Sequence, residues 1–306
     1  MLLLVMIVAG GLVVGCDGCR QMRVVPKKKV RRVEYRHGKD SIRIDTLISD
    51  SVVTDSIDSL VLALDTLDIT VGVDSLFELD KQNFLFISQN FVEVKSFIPD
   101  LIEEIRYNSD YNFVGRKIDG YMESVALMTR AACDSLVKVA EELRPKGYRL
   151  KIYDAYRPQR AVEHFRNWVM NADVKMKADF YPEKEKSVLF KEGYISSKSK
   201  HCRGSTVDLT LCDKDGNELD MGGTFDLFSE RSHSDYTDSL SVEQIANRQL
   251  LREAMERHGF VIATTEWWHF SLKEEPFKEQ GFDFPVASMK TLDGLELLVA
   301  SRPSAF

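Results

Sequence analysis

The chain has 306 residues, 44% of them hydrophobic, which is enough for one sizeable domain or two small ones with a real apolar core. Its formal net charge of −7 disfavours general nucleic-acid binding, because an acidic surface repels phosphate and no basic, aromatic-lined stretch is evident. The composition therefore predicts a globular protein that does not act on nucleic acid.

The first 15 residues form an apolar run as long as the core of a secretion signal, too short and too rich in glycine for a comfortable membrane span. The run ends in Val13-Val14-Gly15-Cys16, which resembles the lipobox of bacterial lipoproteins. The resemblance implies a signal peptide over residues 1–15, lipidation of Cys16, export to the cell envelope and a membrane tether. The alternative is a signal peptide or anchor whose cysteine is incidental.

Residues 16–90 are predicted to form a spacer. Residues 23–39 are basic and suit contact with anionic lipid headgroups, although a solvated linker has the same composition. From Asp40 to Asp80, Asp-Ser and Asp-Thr pairs recur, and no aromatic residue precedes Phe77. Interleaved Ile, Val and Leu could form short strands, but little is available to build a core, so we predict a mostly flexible segment.

An ordered domain is predicted over 91–288, followed by a tail of residues 289–306. Its first helix spans 124–143, where apolar residues recur at spacings of four, four, four and three. These residues are Met128, Ala132, Leu136, Ala140 and Leu143. A second helix opens at Pro158. A third begins at Ser241, with Gln244 completing a capping-box pattern, and closes at Gly259.

Strands are predicted between these helices. The stretch YRLKIYDAY at 148–156 alternates apolar and polar residues, SKHCRGSTVDLTL at 199–211 ends as a strand, and FVIAT follows at 260–264. There is no regular βαβ rhythm and no glycine-rich phosphate loop. We therefore predict an α+β domain with helices packed on a small, mainly antiparallel sheet.

Two of the six histidines stand out as candidate metal ligands. His201 lies ahead of Asp208, and His269 follows Glu266, each beside a predicted strand end. A hydrolytic zinc site needs about three protein ligands and one open position for water. His201, Asp208 and His269 would supply those ligands, with Glu266 as the general base.

This zinc hypothesis requires a turn in the chain. An offset of seven along a straight strand would place His201 and Asp208 on opposite faces, so the chain must turn between them, and Gly204 offers that turn. The alternative is that Glu266 and His269 only flank a tryptophan pair in the core.

Several stretches resemble a known family. SKHCRGSTVDLTL and EWWHF resemble the Ser-x-His-x-x-Gly-x-x-x-Asp and Glu-x-x-His motifs of the zinc D-alanyl-D-alanine dipeptidases of the VanX type. Further stretches match in order, and together with these they cover roughly 91–288. They are IRYNSDYNFVGRKIDGY at 105–121, YDAYRP at 153–158, FDLFSERSH at 225–233 and FDFP at 282–285.

The resemblance implies one zinc ion held by His201, Asp208 and His269, with Glu266 as catalytic base and acid. Arg157 would stabilise the charge that develops on the scissile carbonyl oxygen; the alternative for Arg157 is a salt bridge to Asp154.

The resemblance also implies two contacts with the substrate. Asp226 would pair with its amino group and Ser199 would contact its other end, although a polar residue at a strand end often only caps a loop.

Cys202 and Cys212 are interpreted as structural, because a fourth protein ligand would exclude water from the zinc ion.

The function that follows is hydrolysis of D-Ala-D-Ala, or a related D,D-peptide derived from peptidoglycan, in the cell envelope. One alternative is a D,D- or L,D-carboxypeptidase that trims peptidoglycan stem peptides. Another is a cell-wall-binding protein that has lost catalysis. Retention of Glu266, Arg157 and all three candidate ligands disfavours the last of these.

Overall fold

The structure is a computed structural model that describes residues 85–196 and 198–293 in full and, nearer the N-terminus, the backbone of four strands. The chain divides into two compact units, one formed by Met1–Asp74 and one that begins at Ser75. Among the described residues, no helix combines the length and apolar character needed to cross a membrane.

The N-terminal unit contains one four-stranded sheet. Its strands are β1 (Leu4–Val8), β2 (Gly11–Gly15), β3 (Val30–His37) and β4 (Asp40–Leu47), in the order β2-β1-β4-β3. Strands β1 and β4 pair parallel, and the other pairs are antiparallel. The segment predicted as a flexible spacer thus contains two paired strands, β3 and β4. Cys16 and residues 48–84 lie outside the described residues.

The second unit is built on a five-stranded sheet. Its strands are β6 (Ile102–Glu103), β8 (Arg149–Asp154), β9 (Thr206–Cys212), β10 (Phe260–Ile262) and β11 (His269–Leu272), in the order β10-β11-β9-β8-β6. Only the β6–β8 pair is parallel. A separate antiparallel pair joins β5 (Phe91–Glu93) to β7 (Leu127–Thr129). The predicted α+β class and mainly antiparallel sheet are confirmed.

The helices of this unit include α1 (Arg130–Leu143), α2 (Gln159–Met170), α3 (Lys177–Phe180), α4 (Lys186–Leu189) and α5 (Val242–Arg257). The predicted capping box is present at the start of α5, where Ser241 and Gln244 bond each other's backbone N–H. The start predicted for α1, residue 124, is wrong. Residues 127–129 are a strand, and Thr129 caps the helix by accepting a hydrogen bond from Ala132 N.

Gly204 makes the turn that the sequence required. It follows a short 3-10 turn, Lys200–Arg203, and its φ of 76° lies in the left-handed region. A Cβ atom at this position would overlap Phe91 Cε1. Because the turn is left-handed and tightly packed, β9 starts directly behind it and both His201 and Asp208 are buried.

We predict that Gly204→Ala lowers the free energy of unfolding by about 2–4 kcal/mol, because it adds a steric clash to the cost of a positive φ. Gly147→Ala is the matched control, since Gly147 has a φ of 89° but an added Cβ would meet no atom within 4 Å. It should cost only about 1–2 kcal/mol. Chemical denaturation measures both. Equal losses would show that packing against Phe91 does not constrain the turn.

Candidate metal centre

Three side chains from different parts of the chain converge at one end of the sheet. Asp208 lies on β9 and His269 on β11, directly opposite each other in the antiparallel register. His201 arrives from the turn before β9. One candidate ligand atom from each residue lies within 4.8 Å of the others. The predicted ligand set is therefore brought together by strand pairing and one turn.

Hydrogen bonding identifies which nitrogen of His201 faces this cluster. Nδ1 lies 2.6 Å from the carbonyl oxygen of Ala155, which can only accept, so Nδ1 carries the proton and donates it. Nε2 therefore presents its lone pair, 3.2 Å from Asp208 Oδ2 and 3.2 Å from His269 Nδ1. His269 Nδ1 lies 3.0 Å from Asp208 Oδ1. Two imidazoles and one carboxylate form a donor set that fits zinc.

The pKa shifts of these groups differ in what they imply for metal binding. Burial lowers the pKa of His201, and the charge of Arg157 adds to this, which favours the neutral ring that can coordinate a metal. Burial would raise the pKa of Asp208, but attraction to His201 and His269 outweighs it and lowers the pKa below its usual value. Burial would likewise lower the pKa of His269, yet the Asp208 and Glu266 carboxylates raise it on balance, so a metal ion must displace a proton from this ring to bind it.

Glu266, the predicted general base, lies beside the candidate ligands. Its Oε2 is 3.4 Å from His269 Nδ1, and the side chain retains 20% of its exposure. Burial raises the pKa of Glu266, and the nearby Asp208 carboxylate raises it further. A carboxylate with a raised pKa can take up a proton and hold it during a reaction.

Arg157 forms the salt bridge to Asp154 that the sequence offered as an alternative, and it also faces the candidate metal ligands. Its Nε donates to Asp154 Oδ2 at 2.8 Å, and its Nη2 lies 3.4 Å from Asp208 Oδ2. The guanidinium also lies over the rings of Tyr107 and Phe165, at 5.0 and 5.3 Å from their centroids. The salt bridge to Asp154 therefore orients the guanidinium towards the candidate ligands instead of diverting it.

Asp226 is buried near these residues in an unusual conformation. Its φ is 61°, and it is the only non-glycine residue with positive φ in the part of the chain that the structure describes. The Tyr107 hydroxyl donates to its Oδ2 at 2.9 Å. Burial, followed by repulsion from Asp208, raises the pKa of Asp226 well above its usual value. A buried carboxylate bonded to a neutral hydroxyl can still accept an ammonium group.

Ser199 lies at the start of the turn and is half-buried. Its Oγ accepts a hydrogen bond of 3.3 Å from the backbone N–H of His201, so it has the capping role that the sequence left as an alternative. The hydroxyl hydrogen is not used in that bond and can donate to another group.

Cys202 and Cys212 are buried free thiols. Burial raises the pKa of the Cys202 and Cys212 thiols to about 11, so neither is an available thiolate at neutral pH. Neither joins the candidate ligand cluster. This agrees with their interpretation as structural residues.

Sequence reasoning gave no functional role to three further residues of the site. Asp154 is fully buried opposite Asp208 and accepts hydrogen bonds from Arg157 and, at 2.6 Å, from the Tyr121 hydroxyl. Tyr107 contacts Asp226. Both tyrosines lie in the stretch 105–121 that matched the family, so that stretch was the available signal.

Comparison with known proteins gave consistent matches. Residues 87–287 match a family model described as D-Ala-D-Ala dipeptidase. Curated relatives named D-alanyl-D-alanine dipeptidase come from Enterococcus faecium (38% identity, 62% of this chain, 97% of the relative), Streptomyces coelicolor (40%, 63%, 98%) and Escherichia coli (36%, 60%, 84%).

Among solved structures, a vancomycin resistance D,D-pentapeptidase in complex with Zn(II) aligns at 15% identity and a TM-score of 0.31. The alignment covers 57% of this chain and 88% of that one. A likeness of this size supports no conclusion about the site.

Substitution of a candidate ligand should weaken metal binding without unfolding the chain. We predict that Asp208→Asn lowers zinc affinity by at least about tenfold, because an amide is a weaker ligand than a carboxylate and leaves less negative charge at the site. Competition with a chromophoric chelator measures the affinity. Asp213→Asn, in an exposed turn after β9, is the control and should bind as the unmodified chain does. Unchanged affinity in Asp208→Asn would contradict the assignment.

We predict that Asp226→Asn stabilises the metal-free protein at pH 7 by about 1–2 kcal/mol. The pKa of Asp226 is raised on folding, so its ionised form opposes folding above its unfolded pKa, and this destabilisation is absent in acid. The gain should therefore disappear near pH 3, where the carboxyl is protonated in both states. Chemical denaturation at the two pH values measures it, with the exposed Asp238→Asn as control. A gain that does not change with pH would have another cause.

Proposed function

The chain belongs to the D-Ala-D-Ala dipeptidase family, and we propose that it hydrolyses the D-Ala-D-Ala dipeptide with a zinc ion held by His201, Asp208 and His269. The observation that carries this proposal is the convergence of three ligand atoms within 4.8 Å, with Glu266 and Arg157 at their edge. The short distances among these five residues support the roles proposed for them.

The reaction needs an activated water and a polarised carbonyl. Zinc, when bound, supplies both by polarising the scissile carbonyl and lowering the pKa of water. Glu266 Oε2 then takes a proton from the attacking water and returns it to the nitrogen of the leaving D-alanine. Its raised pKa suits this return, because a strongly acidic carboxyl would hold the proton too briefly.

Arg157 stabilises the developing oxyanion. Asp154 holds one edge of the guanidinium through Nε, so Nη2 points towards Asp208, beside which the scissile carbonyl would bind. The aromatic rings of Tyr107 and Phe165 cover the guanidinium and exclude water from it. A fixed cation in such surroundings stabilises negative charge more strongly than one in water.

The two ends of the substrate are assigned to Asp226 and Ser199. The Asp226 carboxylate accepts the substrate ammonium, since it is buried and its hydrogen bond from Tyr107 comes from a neutral hydroxyl. The Ser199 hydroxyl donates to the substrate carboxylate with the hydrogen that its capping bond leaves unused. A buried carboxylate for a free amino group favours a dipeptide over a longer peptide, in which that nitrogen is an uncharged amide.

We also propose that the protein acts in the cell envelope on peptides derived from peptidoglycan, tethered to a membrane through lipidated Cys16. The apolar residues 1–15 and the cysteine that follows support this proposal. Metabolic labelling with a fatty acid tests it. The chain with Cys16 should incorporate the label and be recovered in the membrane fraction, whereas Cys16→Ser should do neither. Equal membrane recovery without label would indicate a different anchor.

We predict that the zinc-loaded chain releases amine from free D-Ala-D-Ala and that N-acetyl-D-Ala-D-Ala reacts at least about a hundredfold more slowly in kcat/KM, because acylation removes the ammonium that Asp226 pairs with. Glu266→Gln should lose at least about a hundredfold in kcat on the free dipeptide.

Two outcomes would contradict this proposal. Preference for the acylated peptide would assign the chain to stem-peptide trimming. Bound zinc without turnover of either peptide would leave only the cell-wall-binding alternative.

A further inference from the structure

The loop that carries Asp226 needs an external restraint. We call residues 221–233 the substrate loop; it runs from Met221 to His233 and contains no regular element apart from one 3-10 turn, Glu230–Ser232. Asp226 lies near its middle with a φ of 61°. A non-glycine residue in the left-handed region persists only where its surroundings enforce it.

Arg248 of helix α5 contacts both ends of this loop. Its Nε donates to the carbonyl oxygen of Met221 at 2.6 Å, its Nη2 to that of Arg231 at 3.0 Å and its Nη1 to that of His233 at 3.2 Å. The first acceptor precedes Asp226 by five residues, and the other two follow it by five and seven. One guanidinium thus fixes the separation of the two ends.

Within the described ranges, the backbone carbonyl oxygens of the substrate loop are the main hydrogen-bond acceptors for Arg248. The residue is 7% exposed, yet no carboxylate within the described ranges lies within salt-bridge distance of it. A buried arginine is normally paired with an acid. Here its positive charge is satisfied by three backbone acceptors, each bonded by a different nitrogen of the planar guanidinium, whereas a lysine would have one nitrogen on a flexible stem.

Two further contacts extend the restraint to the catalytic side. The guanidinium carbon of Arg248 lies 5.6 Å from the ring centroid of Trp267, the residue after Glu266. The backbone N–H of Trp267 donates to Ser232 O at 2.9 Å. The end of the substrate loop is therefore fixed against both α5 and the segment that leads into β11.

We propose that Arg248 is a positioning residue that holds the substrate loop closed, so that the Asp226 carboxylate faces the substrate ammonium. This inference rests on the proposed role of Asp226. Arg248 itself touches neither the substrate nor the candidate ligands. Its loss should therefore weaken recognition of the amino group while leaving the bond-breaking residues in place.

The first test is Arg248→Lys in the full chain, assayed on D-Ala-D-Ala. We expect KM to rise roughly tenfold and kcat to change by less than about twofold, since the interaction lost is one of binding. Arg252→Lys, one turn along the same helix, is the matched control. Arg252 pairs only with Glu256 among the ion pairs formed by described residues, and its variant should leave both constants unchanged.

A double-mutant cycle identifies the route of the effect. If Arg248 acts through Asp226, then Arg248→Lys should raise KM by less than about twofold in a background of Asp226→Asn, because the interaction it supports is already lost. Full additivity of the two changes would overturn the proposal. A fall in kcat with unchanged KM would also overturn it, since Arg248 would then act through Glu266.

Chemical rescue separates positioning from a general loss of structure. In Arg248→Ala, guanidinium ion far below denaturing concentrations should lower KM towards the value of the unmodified chain. A cavity of about 350 Å³ lined by Arg248 and Trp267 gives the ion access. Absence of rescue in a variant whose circular dichroism matches that of the unmodified chain would contradict the proposal.

Failure of the proposed function and failure of the positioning role give different results in these assays. If Asp226→Asn leaves KM for D-Ala-D-Ala unchanged, the role of Asp226 is wrong and the positioning role falls with it. If Asp226→Asn raises KM but Arg248→Lys does not, only the positioning role is wrong.

Discussion

An excess of negative charge in a buried site is the constraint on which the rest of this structure depends. The carboxyl groups of Asp154, Asp208, Asp226 and Glu266 share their surroundings with one guanidinium, that of Arg157, among the residues that the structure describes. Burial raises the pKa of three of them and leaves only Asp208 with a lowered value. Such a site gains stability from a divalent cation and from an ammonium group. In the proposed reaction, zinc is the cation and the substrate carries the ammonium group.

Three local features of the backbone bring these charged groups together. Antiparallel pairing places His269 opposite Asp208, and a register shift in β8 places Asp154 opposite the same residue. The left-handed turn at Gly204 brings His201 back to Asp208 from the preceding segment. Because each of these features belongs to the backbone, the side chains of the site are held in position before any ligand binds.

The sequence predicted the ligands and the base because their chemistry is local and rare. Two histidines beside acids at strand ends, with a glycine at the required turn, were sufficient to propose His201, Asp208 and His269, and the structure brings these three together. The α+β class followed from helix periodicity and the absence of a βαβ rhythm. These features depend on side-chain type and spacing, which a single chain displays directly.

The remainder depends on long-range packing, which spacing does not record. The start of α1 was placed too early because Met128 continues the apolar stripe, although it belongs to β7. The roles of Tyr107 and Tyr121 come from contacts across 119 and 33 positions of the chain. The sequence offered the Asp154 salt bridge only as an alternative to catalysis by Arg157, whereas in three dimensions the two are compatible.

Zinc binding by two imidazole nitrogens and one carboxylate oxygen is central to the proposed reaction. X-ray absorption spectroscopy at the zinc edge of the loaded full-length chain tests it most directly. We predict a first shell of nitrogen and oxygen with outer-shell scattering from two imidazoles, reduced to one imidazole in His201→Ala. A sulfur scatterer at about 2.3 Å would identify a cysteine ligand and contradict the assignment of the site.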